Sequence, residues 1–297
     1  MIGTGVAYGT FGELLQGQLA EGGLDFLVTL PIPRSSRATF RLDPDATQVT
    51  VAPGHKSKSL RVAQALLEGH GVRAGGVLTV ESDLPEGKGF SSSSADLVAT
   101  ARAVGEAIGA VPGPADIEAL LRPIEPTDGV MYDGAVAFLH REVRLLARLG
   151  HLPPLTIVSV DEGGSVDTIA FNRRPKPFSD ADRKEYARLL DLLVVAVAAG
   201  DVGDIGYVAT RSALLNQRLN PKSTMRDMRQ ICDDVGGLGV AVAHSGTAIG
   251  LLLDVTDPCY RDRLGRAERA CARLAGHAHV DHSLTADSEE VRCFTRT

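Results

Sequence analysis

Residues 84–95 read LPEGKGFSSSSA and are the most informative stretch of the sequence. The apolar, β-branched run VLTVES at 77–82 predicts a strand before it, and the Ala-, Val- and Leu-rich residues 96–110 predict a helix after it. Gly87 and Gly89 allow the backbone between the two elements to follow an unusual path. This order predicts an anion site, because the first N–H groups of a helix are unpaired and lie at the positive end of its dipole.

The turn does not follow the Walker A pattern, because no G-x-x-x-x-G-K-[ST] spacing occurs and Lys88 is followed by Gly89. The serines supply hydroxyl groups, which suit phosphate oxygens and hard metal ions. A serine N-cap behind an ordinary glycine turn explains the same residues without a ligand. The residues alone leave both interpretations open.

The composition of the 297 residues is that of a soluble globular chain, with 44% hydrophobic and 23% charged residues. A net charge of −6 without a Lys/Arg run disfavours nucleic-acid partners, which require clustered positive charge. The longest apolar run, residues 192–199, is too short to span a membrane, so no membrane partner is expected. The N-terminal residues do not resemble a signal peptide, and the four cysteines form no CxxC pair. We therefore expect a cytoplasmic protein with reduced thiols.

The predicted elements divide the chain into two halves. Strand-rich residues come first, and a β/α pattern follows the segment LPPL at 152–155. Strands are predicted at 24–30, 36–42, 47–52, 77–82, 155–160, 239–244, 249–254 and 290–295. Helices are predicted at 59–69, 96–110, 114–121, 180–200, 201–217, 222–235 and 258–274. The pattern predicts an α+β fold with one lobe at 1–152, a second at 153–297 and a cleft between them.

The serine-rich turn resembles the phosphate-binding motif of the GHMP kinase family, which reads roughly P-x-x-x-G-[LM]-[GSA]-S-S-[AGS]. Pro85, Gly89 and residues 91–93 fall on its positions, and Phe90 departs from the expected Leu or Met. Residues 240–253, VAVAHSGTAIGLLL, resemble the family's C-terminal glycine-rich motif, with fewer glycines than usual. The resemblance covers nearly the whole chain. It implies the two-lobed α+β fold of these kinases, with a first lobe like a ribosomal-protein fold and a ferredoxin-like second lobe.

Three segments resemble a narrower class of the family, the L-threonine kinases of cobalamin side-chain synthesis. They are AYGTFGELLQG at 7–17, GKGFSSSSAD at 87–96 and EPTDGVMYDG at 125–134. The resemblance implies an ATP- and Mg²⁺-dependent phosphotransferase, a monomer or homodimer, that converts L-threonine to O-phospho-L-threonine. Homoserine, a serine-like compound or pantoate are the alternative acceptors. A non-catalytic, ligand-binding member of the fold is the alternative function.

The resemblance assigns roles to residues around the phosphate loop. ATP phosphates are expected at Pro85, Gly87, Lys88, Gly89, Ser91, Ser92 and Ser93. Ser93 falls where the family has a Mg²⁺-ligating serine. A carboxylate is expected as the second ligand, with Glu118 preferred for its spacing from Asp128 and Glu125 as the alternative. Asp128 is expected to face the acceptor hydroxyl as a base or an orienting group, although P-T-D-G is also the context of an ordinary turn aspartate.

Acceptor binding is expected from the N-terminal and C-terminal motifs together. The candidate residues are Thr10, Gly12, Glu13, Gln16, Ser245, Gly246 and Thr247. Glu13, in a predicted N-terminal loop, offers a negative partner for an α-ammonium, and Gln16 can donate and accept hydrogen bonds. Lys56 and Lys58 either contact the nucleotide or form a solvated pair. His244 either lines the acceptor pocket or has a structural role.

Overall fold

The described part of the chain is built around one mixed sheet. A computed structural model of the protein describes residues 1–164, 166, 171 and 174–286. Its strands are β1 (Ile2–Gln18), β2 (Asp25–Asp43), β3 (Val49–Ala52), β4 (Gly75–Ser82), β5 (Ala135–Leu139), β6 (Arg144–Gly150), β7 (Leu155–Asp161), β8 (Gly239–Val242), β9 (Ala248–Asp254) and β10 (His279–His282). Its helices are α1 (Ser57–Gly69), α2 (Ser92–Ile108), α3 (Pro114–Leu121), α4 (Asp180–Ala199), α5 (Val202–Asn216), α6 (Met225–Val235) and α7 (Tyr260–Ala275). The α+β class predicted from the sequence is confirmed.

The strand order shows how the two predicted halves join. The main path of the sheet runs β10–β7–β9–β8–β1–β2–β4–β3, while β5 pairs with β2 and with β6. The described pairs are antiparallel except for β3 with β4. β1 meets β8 at the pair Glu13–Val242. One sheet therefore runs across the proposed boundary at 152/153, and the division into lobes stays a prediction.

Apolar side chains pack on both faces of the sheet. Successive residues of β7 and β9 alternate between two clusters, because side chains along a strand point to opposite faces. Ile157 and Leu252 belong to the larger cluster, which includes the alanines of α2, whereas Val158 and Leu251 pack with α6 and α7. The larger cluster fixes α2 against β1 and β2. It thereby positions the start of α2, where the serine-rich turn ends.

α6 and α7 are amphipathic helices that cover one face of the sheet. Met225, Met228 and Cys232 recur at helical spacing on the buried face of α6, and Cys271 is buried on α7. Both thiols are free, and burial raises the pKa of each to about 11, so they pack as small apolar groups. None of the helices in the described ranges is long and apolar enough to cross a membrane.

β1 carries the N-terminal motif, and the prediction that Glu13 and Gln16 lie in a loop is wrong. Both residues are part of β1 and pair with β2. Glycines and polar residues hide the strand period of this segment in the sequence. The register with β2 shifts three times between Tyr8 and Leu15. Such bulges bend a strand and redirect its side chains, which places Glu13 on the wall of a cleft.

Two further boundaries differ from the prediction for physical reasons. α2 begins at Ser92, earlier than the predicted start at 96, because the hydroxyls of Ser93 and Ser94 bond to groups outside the helix instead of competing with it. β2 continues through residues 31–33, where the sequence predicts a break between two strands. Pro31 pairs at a register shift, where its missing N–H is tolerated. The predicted strand at 290–295 lies outside the described residues.

Candidate active site

A cleft lies where the serine-rich turn, β1 and the turn after β8 meet. Its cavity has a volume of about 340 Å³, within the usual range for small-molecule sites. Its polar and charged lining residues are Glu13, His55, Lys56, Ser57, Lys58, Ser59, Glu86, Ser91, Ser92, Ser93, Ser94, Asp96, Glu125, Asp128, His140, His244 and Ser245. Gly87, Gly89 and Phe90 of the turn line it too. The fold thus brings most of the predicted phosphate loop together with residues of both terminal motifs.

The backbone of the serine-rich turn is held through its carbonyl groups. The carbonyl oxygens of Lys88, Gly89 and Phe90 accept hydrogen bonds from backbone N–H groups of β1 and of the turn before β9, at 3.0–3.2 Å. Because the N–H and C=O of one trans peptide point in opposite directions, the N–H groups of Gly89, Phe90 and Ser91 are directed away from these partners. The first turn of α2 follows directly and adds the positive end of its dipole. This backbone is suited to binding an anion.

Gly89 and Gly246 allow the turn and the C-terminal motif to approach closely. A Cβ atom at Gly89 would lie 2.2 Å from Ala243 Cβ, and the φ angle of Gly89 is +92°. A Cβ atom at Gly246 would lie 2.0 Å from the Lys88 carbonyl oxygen. Any other residue at either position would force the backbone to shift. The contact between the two motifs therefore depends on two glycines from separate halves of the chain.

Ser91, the N-cap of α2, has an unusual backbone conformation. Its φ angle is +56°, in the left-handed region that non-glycine residues rarely adopt. Ser91 Oγ lies 2.6 Å from Thr10 Oγ1 and donates to Asp128 Oδ2 at 2.6 Å. Ser94 Oγ accepts a hydrogen bond from Asp128 N at 3.1 Å. Two serines at the start of α2 therefore hold both the backbone and the carboxylate of Asp128.

The Asp128 carboxylate is more basic than that of an ordinary aspartate. Desolvation by burial raises its pKa, and the hydrogen bond from Ser91 opposes the rise in part. The nearby Glu125 carboxylate adds to the rise through like-charge repulsion. A carboxylate with a raised pKa that lines a cleft is a candidate general base.

Ser93 and Glu125 place a hydroxyl oxygen and a carboxylate oxygen side by side on the cleft wall. Ser93 Oγ donates to Glu125 Oε1 at 2.5 Å. The side chain of Glu125 is 6% exposed, and its second oxygen accepts a hydrogen bond from the Lys58 ammonium. Hydroxyl and carboxylate oxygens are ligands that Mg²⁺ prefers, and Mg²⁺ on a nucleotide takes only one or two protein carboxylates. This donor set fits a magnesium ion.

Glu118, the carboxylate preferred from the sequence as a metal ligand, is not among the described residues that line the cleft. Its carboxylate accepts hydrogen bonds from Tyr132 OH at 2.8 Å and from Leu145 N at 2.7 Å. These bonds tie α3 to β6 and to the segment before β5. The structure therefore favours Glu125, the alternative, as the candidate ligand. Spacing along the chain does not show which of the two carboxylates lies next to α2.

Glu13 is a buried carboxylate at the junction of β1 and β8. Its Oε2 accepts a hydrogen bond from His244 N at 2.6 Å, and Gln16 Nε2 lies 3.5 Å from the same oxygen. Desolvation raises the pKa of Glu13 well above its ordinary value, and the Asp128 charge adds to the rise. The His244 N–H group and the Lys222 charge oppose it. An ammonium group brought to this carboxylate would favour its ionised form, so Glu13 is suited to a cationic ligand.

The other residues predicted to bind the acceptor divide into two groups. Ser245 lines the cleft. Thr10 and Gly12 instead hold the serine-rich turn through their backbone N–H groups. Gln16 is buried behind Glu13 and donates to Val242 O at 3.3 Å. These three residues shape the cleft from its supporting layer.

Lys88 is paired with a carboxylate of the other half of the chain. Its Nζ lies 2.6 Å from Asp161 Oδ2 and donates to Gly164 O at 2.6 Å. Asp161 also accepts a hydrogen bond from Thr247 Oγ1 at 2.5 Å. Lys88, Thr247 and Pro85 are not among the described residues that line the cleft. The Lys88 side chain is therefore engaged with Asp161 and Gly164, although its neighbours Gly87 and Gly89 line the cleft.

Lys56 and Lys58 both line the cleft, and each is paired with a carboxylate rather than with solvent alone. Lys56 Nζ lies 2.5 Å from Glu86 Oε1 and 2.6 Å from Asp96 Oδ2, with 12% of its side chain exposed. Burial lowers the pKa of Lys56, but the hydrogen bonds and charges of Asp96 and Glu86 together raise it above its ordinary value. Lys56 is therefore a fixed positive charge on the cleft wall.

His140 is a cleft residue that the sequence analysis did not identify. Its ring lies edge-to-face against that of His244, with centroids 5.0 Å apart, and Phe171 contacts His244 at the same distance. Burial lowers the pKa of His244 well below its ordinary value, so its imidazole is neutral. His140 follows β5, a strand that was not predicted, and no local motif marks it.

The chain is similar in sequence and in fold to known proteins. A family model described as the GHMP kinases N terminal domain matches residues 57–140. Curated L-threonine kinases of Salmonella typhimurium and Citrobacter freundii are each 28% identical to the chain, over 59% and 60% of its length. The matched regions cover 59% and 62% of those relatives, so the chain spans about three fifths of their length. A homoserine kinase structure from Cytophaga hutchinsonii superposes with a TM-score of 0.69 at 17% identity, covering 95% of each chain.

These similarities differ in what they establish. At 17% identity, the likeness to homoserine kinase shows the fold alone. The family model covers the part of the chain that holds the serine-rich turn, Glu125 and Asp128. Residues 57–140 are therefore similar to the N-terminal domain of GHMP kinases, and about three fifths of the chain is similar to two L-threonine kinases.

Proposed function

We propose that the chain is an ATP-dependent kinase for the side-chain hydroxyl of an amino acid, with L-threonine as the first candidate and O-phospho-L-threonine as its product. The observation that carries the proposal is a pair of carboxylates at the start of α2. Asp128 is bonded to Ser91, and Glu125 is bonded to Ser93. The match of residues 57–140 to the GHMP kinase N-terminal domain and the similarity to two L-threonine kinases support it.

The serine-rich turn supplies the phosphate-binding groups. Its N–H groups at residues 89–91 and the first turn of α2 bind the nucleotide phosphates, because both present donors and positive dipole ends. Ser93 and Glu125 would hold Mg²⁺, which neutralises the charge of the phosphates when bound. Lys56 adds a fixed positive charge to the same wall. The chain's contribution on this side is positioning and electrostatic stabilisation.

Asp128 accepts the proton of the acceptor hydroxyl. The acceptor oxygen forms a bond to the γ-phosphorus while the bond from that phosphorus to the bridging oxygen of ADP breaks. Ser91 bonds one carboxylate oxygen of Asp128 and so orients the other towards a hydroxyl. The raised pKa of Asp128 makes it a stronger proton acceptor than an ordinary aspartate.

The acceptor side recognises an amino acid through Glu13. Its buried carboxylate pairs with the α-ammonium, and Ser245 and neutral His244 line the same cleft. An acceptor without an amine would leave the buried Glu13 carboxylate without an ammonium partner. Such a loss costs a few kcal/mol, which corresponds to a preference of roughly 10²-fold for amino acids.

The test is ADP release from ATP and Mg²⁺ with a panel of acceptors: L-threonine, L-serine, L-homoserine, pantoate and mevalonate. We expect L-threonine to have the highest kcat/KM and L-serine to follow closely, because one methyl group is worth only about 1–3 kcal/mol. Release that depends on pantoate or mevalonate as strongly as on L-threonine would reject the amino-acid acceptor. Absence of acceptor-dependent release with every compound would reject the kinase activity.

A further inference from the structure

Lys58 and Lys56 lie two residues apart at the start of α1, and both line the cleft. Their partners differ. Lys56 is held between Glu86 and Asp96, whereas Lys58 pairs with Glu125. Their exposure differs as well, at 12% for the Lys56 side chain and 39% for that of Lys58. Lys58 is therefore the less constrained of the two cations.

Glu125 is shared between a hydroxyl group and an ammonium group. Ser93 donates to Oε1, and Lys58 donates to Oε2. A carboxylate that is 94% buried requires a positive partner, because desolvation penalises an isolated charge. Lys58 supplies that charge. A divalent cation that binds Glu125 through the same oxygens competes with Lys58 and repels it.

We propose that Lys58 is a displaceable counter-cation. It neutralises Glu125 in the empty cleft, and it moves onto the nucleotide phosphates when a divalent metal takes the carboxylate. This inference rests on the proposed function, because it assumes that nucleotide and metal bind at the start of α2. A long, partly exposed side chain on the cleft wall can make the move without a change in the backbone of α1.

The proposal predicts two effects of opposite sign for Lys58→Met. Affinity for Mn²⁺ alone, measured by water-proton relaxation, is expected to rise about tenfold, since a competing ammonium is removed. Affinity for ATP in the presence of EDTA, measured by calorimetry, is expected to fall about tenfold, since a phosphate partner is lost. A fixed structural ion pair would not give both effects.

Lys56→Met is the matched control, because Lys56 is close in sequence, lines the same cleft and does not bond to Glu125. Its Mn²⁺ affinity is expected to stay within about twofold of the wild type, since its carboxylate partners are Glu86 and Asp96. Glu125→Gln is expected to abolish the Mn²⁺ response and so locates the metal. Thermal unfolding of each variant shows that it is folded. Lys58→Arg, which keeps the charge, is expected to retain wild-type Mn²⁺ affinity.

Each alternative result overturns a defined part of the inference. Unchanged or weaker Mn²⁺ binding in Lys58→Met would show that Lys58 does not compete with the metal. Tighter Mn²⁺ binding with unchanged ATP binding in EDTA would show that Lys58 does not reach the phosphates. Wild-type protein that binds neither ATP nor Mn²⁺ would reject the proposed function itself, and the inference with it.

Discussion

The proposed phosphate side and the proposed acceptor side of the cleft are built in different ways. The phosphate side is a continuous stretch, residues 87–94, which presents backbone N–H groups and hydroxyls. The acceptor side combines Glu13 of β1, His140 after β5 and His244 after β8. A backbone anion site needs glycines and a helix start within a few residues, whereas a side-chain pocket needs only a fold that gathers its members. One local motif therefore marks the whole of the first side, whereas the second side combines residues of two distant motifs with His140, which no motif marks.

The largest effect is expected from Asp128→Asn, which removes the proposed acceptor of the hydroxyl proton. An amide is nearly isosteric with the carboxylate but cannot accept the hydroxyl proton. We expect kcat to fall by about 10²- to 10⁴-fold, the usual contribution of general-base catalysis. ATP binding and the thermal unfolding midpoint are expected to change little, because Ser94 still bonds to the backbone of residue 128. ADP release at saturating ATP and L-threonine measures the effect.

Asp133→Asn is the control for this change. Asp133 also precedes a glycine, but it is exposed and does not line the cleft. Its kcat is expected to match the wild type. If Asp128→Asn lowers kcat by less than about threefold, Asp128 is a turn residue and positioning alone activates the acceptor.

Gly89→Ala is expected to weaken ATP binding by displacing the serine-rich turn. Its Cβ atom would meet Ala243 at 2.2 Å, so the turn must move away from the C-terminal motif. A displacement of about 1 Å in a positioned group costs about 10²-fold, and we expect a loss of that size in ATP affinity. Calorimetric titration with ATP measures it.

Gly109→Ala separates crowding from backbone strain. Gly109 has a φ angle of +72°, and a Cβ atom there would meet nothing within 4 Å. The Gly109→Ala substitution is therefore expected to lower the free energy of unfolding by about 1 kcal/mol without changing ATP affinity. Equal losses of ATP affinity in the two variants would show that the contact with Ala243 is unimportant.

The sequence predicted those features whose cause is local. The helix at 114–121 has the same bounds in the structure, because Pro114 at its first position and the glycine before it define its start. The glycine turn and the serines at the start of α2 were recognised for the same reason. Ser93, the predicted metal ligand, and Asp128, the predicted base, both line the cleft. Their roles stay predictions.

Features that depend on tertiary contacts were not predictable in the same way. Glu125 rather than Glu118 reaches Ser93 because the chain after α3 turns back to α2, which no spacing rule shows. The sequence predicts a loop at Glu13 and Gln16 because glycines and bulges interrupt the alternation of β1. His140 was missed because its position follows from a strand pairing. These differences concern which residues meet in the folded chain.

Glu13→Gln tests the acceptor side. The neutral amide removes the negative partner of the ammonium, so the preference for L-threonine over pantoate is expected to fall about tenfold or more. Measurement of kcat/KM for both acceptors shows the change. Glu118→Gln, which alters a buried carboxylate outside the cleft, is expected to lower the unfolding midpoint and leave the preference unchanged. An unchanged preference in Glu13→Gln would exclude the ammonium pairing.

The same carboxylate predicts a pH dependence. Protonation of Glu13 removes its charge, so the KM for L-threonine is expected to rise as the pH falls through the pKa of Glu13. Burial raises that pKa well above the ordinary value, so the rise begins at a higher pH than an exposed glutamate would give. This limb of the KM profile is expected to disappear in Glu13→Gln. A limb that persists there belongs to another group.

The smallest effect is expected from Lys88→Met, although Lys88 lies inside the recognised motif. Its ammonium pairs with Asp161, and both side chains are about one quarter exposed, at 23% and 27%. Such a pair contributes about 0–1 kcal/mol, so we expect ATP affinity to change by less than about threefold. Asp161→Asn is expected to give the same small change, because it breaks the same pair from the other side. A tenfold loss of ATP affinity in Lys88→Met alone would show that Lys88 leaves Asp161 for the phosphates, and the phosphate side would then include this side chain as well as the backbone.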